Sequence, residues 1–209
     1  MDTVDVLIRK TLRFPVIMLC VLLSAAAVQG AKTDKKKAAK VKAGLVYHLS
    51  ELTQWPEERF KLETTPITVG VCGKDPHGFA DYFRSQSASL SAQGRPFVVR
   101  KLPFKIAGKG TADIAPALKT ALRECDVLFV TAAATRHLAP ILAAIGESGV
   151  LTVGETETFS TGGGMVSFVV DENVVKIIAN LDALKKGRIQ TSSEFLRHAE
   201  IVEGTHDKE

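Results

Sequence analysis

Four short apolar runs, spaced along the chain with helical patterns between them, constrain the fold more than any other feature. Ile67-Thr68-Val69-Gly70-Val71-Cys72, Phe97-Val98-Val99-Arg100, Val127-Leu128-Phe129-Val130 and Val150-Leu151-Thr152-Val153 each read as a strand. Gly73-Lys74-Asp75-Pro76 closes the first, and the turn Gly94-Arg95-Pro96 launches the second. Phe79, Tyr82 and Phe83 suit a short helix, Ile114 to Leu122 a second, and Leu138, Ile141, Leu142 and Ile145 a third, stopped at Gly146. Strands alternating with helices call for a parallel sheet covered on both faces. Upstream, Val41, Leu45, Leu49 and Leu52 form one apolar stripe on a helix running from Ala38 to Trp55. Pro56 ends it, because the residue before a proline is pushed out of the α region. Downstream the pattern changes. Met165 to Val170 and Val174 to Ile178, either side of Asp171-Glu172-Asn173, read as a β-hairpin. Ser192 and Ser193 form an N-cap ahead of a final helix with Phe195, Leu196 and Ala199. The expected fold is a single α/β domain: a mixed, mostly parallel sheet flanked by helices, with a C-terminal β-hairpin.

The N-terminal segment reads differently. Arg9, Lys10 and Arg13 precede an apolar stretch from Phe14 to Val28, and Val28 and Gly30 sit at −3 and −1 of a cut before Ala31. A positive start, a short apolar core and a small-residue exit describe a secretory signal peptide. A retained anchor is the alternative, although the stretch is short of the ~20 apolar residues that a spanning helix needs. Cys20 follows Ile17, Met18 and Leu19, not the small residues that precede a lipidated cysteine. The expected organisation is a signal peptide over 1–30, a polar Lys-rich linker over 31–40, an α/β domain over 41–203 and a polar tail over 204–209. A chain that is 45% hydrophobic and 24% charged suits one ordinary globular core. The formal net charge is +4, and much of the excess lies in Lys32, Lys35, Lys36, Lys37, Lys40 and Lys42. That run reads as a solvated linker and helix start, with contact to anionic lipid as the alternative. A nucleic-acid partner is not expected, since that needs a clustered basic face or a binding motif.

Chemistry-bearing residues do not assemble into a catalytic pattern. There is no G-x-S-x-G elbow, no H-E-x-x-H and no complete P-loop, so no enzyme activity and no cofactor are expected. Gly108-Lys109-Gly110-Thr111 resembles a P-loop fragment but reads as a flexible loop. Gly162-Gly163-Gly164 reads as a mobile turn. His48, His77, His137, His198 and His206 are scattered, with no pair at ligand spacing. Tyr47 and Trp55 on the first helix suit the core or an interface. Lys74 and Asp75 after one strand, and Glu155 after another, fall at the carboxyl edge of a parallel sheet. Ligands bind there in open α/β folds, and helix capping is the competing role. Cys72 and Cys125 either pair or remain buried free thiols. If their strands are parallel neighbours, the two lie at opposite ends of the sheet, and a bridge needs Cα atoms within about 7 Å.

Taken in order, several short pieces resemble the YfiR-like family, from about Val41 to Val202. They include Lys42-Ala43 with Tyr47 and Trp55-Pro56, Gly73-Lys74-Asp75-Pro76-His77-Gly78, Gly94-Arg95-Pro96 with Arg100 and Leu102, and Cys125-Asp126-Val127-Leu128-Phe129-Val130. The most specific are Leu151-Thr152-Val153-Gly154, Phe159, Gly163-Gly164-Met165-Val166-Ser167-Phe168, Asn180-Leu181 and Ser192-Ser193 with Leu196. The resemblance implies a periplasmic, often dimeric regulator without catalytic residues. Its best-known role is to hold an inner-membrane diguanylate cyclase inactive by binding that enzyme's periplasmic part, so that release raises cyclic di-GMP and favours biofilm. Other members accompany sensor kinases or outer-membrane receptors. The chain departs from the family's pattern at Gly70, where members often carry a cysteine, and in lacking a second cysteine pair. Two functions follow as expectations. One is a regulator that binds the periplasmic part of a membrane signalling protein, with Tyr47, Trp55 and the loop around Phe159 as contacts. The other is a small-ligand sensor that uses the loops carrying Lys74, Asp75 and Glu155.

Overall fold

The structure, a computed structural model, describes residues 35–102, 104, 114–171 and 174–203. The expected signal peptide, the start of the expected linker, the P-loop-like fragment, Glu172-Asn173, His206 and the expected polar tail lie outside the described residues. The α/β body is the unit that starts at Ala38.

Residues 35–51 are helical (α1). In chain order there follow β1 (Thr53–Gln54), β2 (Ile67–Cys72), α2 (Phe79–Ser87), β3 (Ser91–Ala92), β4 (Arg95–Leu102), α3 (Pro116–Arg123), β5 (Val127–Val130), α4 (Ala132–Thr135), α5 (Leu138–Ile145), β6 (Leu151–Gly154) and α6 (Glu157–Thr161). The chain continues with β7 (Val166–Asp171), β8 (Val174–Asn180), α7 (Leu181–Lys186), β9 (Gln190–Thr191), α8 (Ser193–Leu196) and β10 (Ala199–Val202). One sheet has the order β10-β8-β7-β6-β5-β2-β4-β3, and β1 and β9 form a separate two-stranded ribbon. β4, β2, β5, β6 and β7 are parallel. β8 runs against β7, and β10 follows β8. The expected mixed, mostly parallel sheet with a hairpin near the C-terminus is the one observed.

The alternating side chains of the central strands sort into two cores. Ile67, Val69, Val71, Val127, Phe129, Leu151 and Val153 face α1, α2, α7 and α8. Cys72, Leu128 and Val130 face α3, α5 and α6. Strands buried on both faces read as continuous apolar runs, which is why the central ones were legible. Phe79 stacks flat on Phe129 at 3.8 Å, and Phe83 meets Phe97 edge-on at 5.3 Å, fixing α2 to the sheet.

Several boundaries differ from expectation. α1 covers the end of the supposed linker and stops at Glu51, before Trp55, because Thr53-Gln54 leaves the helix to pair with β9. Its buried face is Ala39, Ala43, Val46 and Leu49, while Val41 is 50% exposed. Small residues let the helix lie close to the sheet; of the expected stripe, Leu49 is fully buried, Leu45 and Leu52 pack half-buried against the same core, and Val41 alone falls outside it. The Gly94-Arg95-Pro96 turn is a two-residue hairpin at Gln93-Gly94, with φ of 51° and 76°, and Arg95 already pairs with Ala92 in β4. Positive φ at both central residues is the geometry that matches strand twist. The Gln93 amide then donates to the carbonyls of Ser50, Glu51 and Thr53, closing the end of α1. α6 and α7 are additional short helices. Ser192 caps α8 as expected, accepting from Phe195 N–H at 3.2 Å, but the helix ends at Leu196 and Ala199 opens β10.

Candidate functional site

Two edges of the sheet gather the polar side chains. At the amino edge, the segment between β1 and β2 has little regular structure and is tied down by arginines. Arg59 donates through Nε to Asp126 Oδ1 at 2.7 Å, and through its terminal nitrogens to the carbonyls of Ser148 (3.0 Å), Arg123 (2.9 Å) and Cys125. Asp126 Oδ2 accepts from Thr68 N–H at 2.7 Å, so the carboxylate joins the starts of β2 and β5 to the segment. Arg95 donates to the carbonyls of Leu62, Glu63 and Thr65 and lies 4.2 Å over the Phe60 ring. Trp55 meets Phe60 edge-on at 5.5 Å, and its indole N–H donates to the Asp126 carbonyl at 3.3 Å. Trp55 is therefore half-buried structure at this edge, with the rest of its surface open. Beside it, a cleft of about 260 Å³ is lined by Pro56, Glu58, Arg59, Glu147, Ser148 and Arg188. Arg188 pairs with Glu58, whose carboxyl is held below the usual range by its own backbone N–H and by that guanidinium. The Ser148 hydroxyl is buried there without a hydrogen-bond partner among the described residues.

At the carboxyl edge, the loops after β2 and β6 hold Lys74, Asp75 and Glu155 where expected, with β5 between them. Both carboxylates are engaged inside the fold. Asp75 accepts from Phe79 N–H (3.0 Å) and Ala80 N–H (2.8 Å), satisfying the start of α2. Glu155 pairs with the buried Lys42 ammonium at 2.8 Å and accepts from Ala132 N–H at 2.9 Å. Lys74 is exposed.

Tyr47 is half-buried on α1, edge-on to Phe97 at 6.1 Å, with its hydroxyl on Glu51 at 3.3 Å. Burial, then Glu51, raises its pKa above the ordinary tyrosine value. Phe159 is a correction. It lies on α6 instead of a loop and is fully buried, with its ring between Gly154 and Gly164, where any Cβ would overlap it. It has no surface to offer a partner. Cys72 and Cys125 are free and buried. Cys125 precedes β5, yet its sulfur lies against Gly70, one same-face step from Cys72, so the thiols are not at opposite ends of the sheet. Burial, and for Cys72 also the neighbouring Cys125, pushes their pKa values up to about 12 (Cys72) and about 11 (Cys125). Thiols that hold their protons in this way are poor nucleophiles.

Lys42, Arg59 and Asp126 were not anticipated as a set. Asp126 had a signal, a lone carboxylate abutting the apolar run Val127–Val130; Arg59 had none.

The family model YfiR/HmsC-like (DUF4154) matches residues 39–200, most of the chain. The chain belongs to this family. Its members are periplasmic signalling regulators, not enzymes, in the context of cyclic di-GMP and biofilm. No curated protein sequence matches this YfiR/HmsC-like chain. Among solved structures it is similar to the ABC domain in complex with L-Trp from Streptococcus pneumonia, at 12% identity and a TM-score of 0.47, over 65% of this chain and 55% of that one. It is also similar to a conserved domain protein from Vibrio cholerae O1 biovar El Tor, at 11% identity and a TM-score of 0.46, over 64% and 54%. The chain spans about half the length of these structures, and neither says what it binds. Among the described residues, no helix is long and apolar enough to cross a membrane.

Proposed function

We propose that this protein is exported to the periplasm, forms a homodimer, and restrains a membrane-bound signalling protein, a diguanylate cyclase, by binding its periplasmic part. The observation that carries this reading is the family match over residues 39–200. The carboxyl edge supports it: Asp75 and Glu155, the groups a small ligand would need there, cap a helix and hold Lys42 instead. The partner contact uses the open surfaces of Tyr47 and Trp55, because aromatic anchors dominate interfaces. A deletion strain should show higher cyclic di-GMP and more surface attachment. A folded Tyr47→Ala variant should mimic the deletion. Unchanged cyclic di-GMP and attachment in the deletion strain would overturn the proposal.

A small-ligand sensor is the second reading. The cleft at the amino edge, with the unpartnered Ser148 hydroxyl, is the feature that favours it. It would move ahead if the deletion left cyclic di-GMP unchanged but altered the output of a sensor kinase.

A further inference from the structure

We propose that the Lys42–Glu155 ion pair is a releasable latch. When it breaks, the amino-terminal half of α1 leaves the carboxyl edge of the sheet while the rest of the fold stays in place.

Anchoring along α1 is uneven. From Val46 onward the helix is held by fully buried Val46 and Leu49, by Tyr47 against Phe97, by three carbonyl bonds from Gln93, and by the β1–β9 ribbon just beyond it. Before Val46 only the small residues Ala39 and Ala43 are fully buried in the apolar core; Leu45 packs against it half-buried, and Val41 is half exposed. Two lysines reach out from this half: Lys40 is exposed, with its ammonium 5.4 Å over the Tyr82 ring, and Lys42 is buried and makes the ion pair. Gly44 stands between the two halves. It is exposed, and nothing lies within 4 Å of where its Cβ would be. No close approach requires a glycine there, and glycine inside a helix loosens it.

The fastening is itself suited to release. Lys42 is only 7% exposed, and its ammonium has three protons but one acceptor among the described residues, Glu155 Oε1. Desolvation offsets much of the attraction in a buried ion pair, so such pairs hold weakly and serve best as registers or switches. The second oxygen of Glu155 accepts from Ala132 N–H, so the latch closes on the turns that follow β5 and β6. Chain order reverses beside β5: from β2 the sheet grows first to β4 and then, across β2, to β5. Release uncovers Glu155 and the Ala132 turn at this edge.

Hydrogen exchange followed by NMR on the purified protein tests the latch. In the wild type, the amides of residues 42–45 should exchange faster than those of 47–51; equal protection would overturn the proposal. Glu155→Gln keeps an acceptor for Ala132 N–H, and Lys42→Met keeps the aliphatic stem without the charge. In either variant, exchange at 42–45 should accelerate by at least about tenfold, with 47–51, β2 and β5 unchanged. Gly44→Ala added to Glu155→Gln should restore part of the protection. Wild-type protection at 42–45 in a folded variant, or loss across 42–51 and β2 as one block, would show that α1 is a single fixed element.

Discussion

Gly70 faces the Cys125 sulfur so closely that a Cβ at this position would overlap it, with Leu102 crowding from the side. Gly70→Ala should therefore destabilise the fold by about 1–3 kcal/mol, as overpacking of a tight core does, and equilibrium urea unfolding would read the change. The same contact shields the thiol. In the native protein at pH 8, Cys72 and Cys125 should resist a thiol reagent. After denaturation without reductant, peptide mapping should find both labelled; an unlabelled pair would mean a bridge. Their raised pKa values also set an alkaline limit. An unfolded chain releases thiol protons from about pH 8.5, whereas the native protein holds them until about pH 11 to 12. Above pH 8.5 the unfolded state thus binds fewer protons, and stability falls as pH rises, by up to about 1.4 kcal/mol per pH unit for each thiol. A Cys72→Ala, Cys125→Ala protein should lose less stability between pH 9 and 10.5. Much of this was hidden in the sequence. A glycine in a strand signals a close approach, but what approaches depends on how the residues before β5 fold back.

The elements with the plainest patterns were the ones buried symmetrically. β2 and β5 match their apolar runs end to end, and α5 matches its stripe up to Gly146. α6 escaped because it is five residues long, too short to show a period, and its one large apolar residue fills a slot made by two glycines. It is held by buried polar groups as well. Ser160 and Ser167 share a hydrogen bond at 2.6 Å, and Asn180 donates to the Ser160 carbonyl at 2.8 Å while accepting from Ala183 N–H at the start of α7. Asn180→Ala should thus loosen two helices together and cost about 1–3 kcal/mol, the range for leaving a buried polar group unpaired. The strap between β1 and β2 is the other element that no period could announce, since arginine–carbonyl bonds rather than apolar faces hold it. Arg59→Ala leaves the Asp126 carboxylate buried and unpaired, so a loss of about 3–5 kcal/mol is expected. Asp126→Ala added to it should lose much less than the sum of the two single changes. Additivity would mean that the pair is not coupled.

The whole sheet is ordered around β2, with β4 on one side and β5, β6 and β7 on the other. Alternation of strand and helix was enough to anticipate a covered parallel sheet. It was silent on β10, because a four-residue strand with two exposed positions carries no run to read. Protection from hydrogen exchange should follow the same division. Amides of β2, β5 and β6 should be the slowest in the molecule, and those of β10 the fastest among the strands of the large sheet. Equal rates would mean that the sheet opens only as a unit. The reversal at β8 has a mechanical consequence. β10 lies at the end of the large sheet, pairs with β8 alone among the strands and runs the opposite way to β6, with Val202 level with Asn180. A pull on residue 203 would therefore load the β10–β8 ladder before any ladder of β2, β5 or β6.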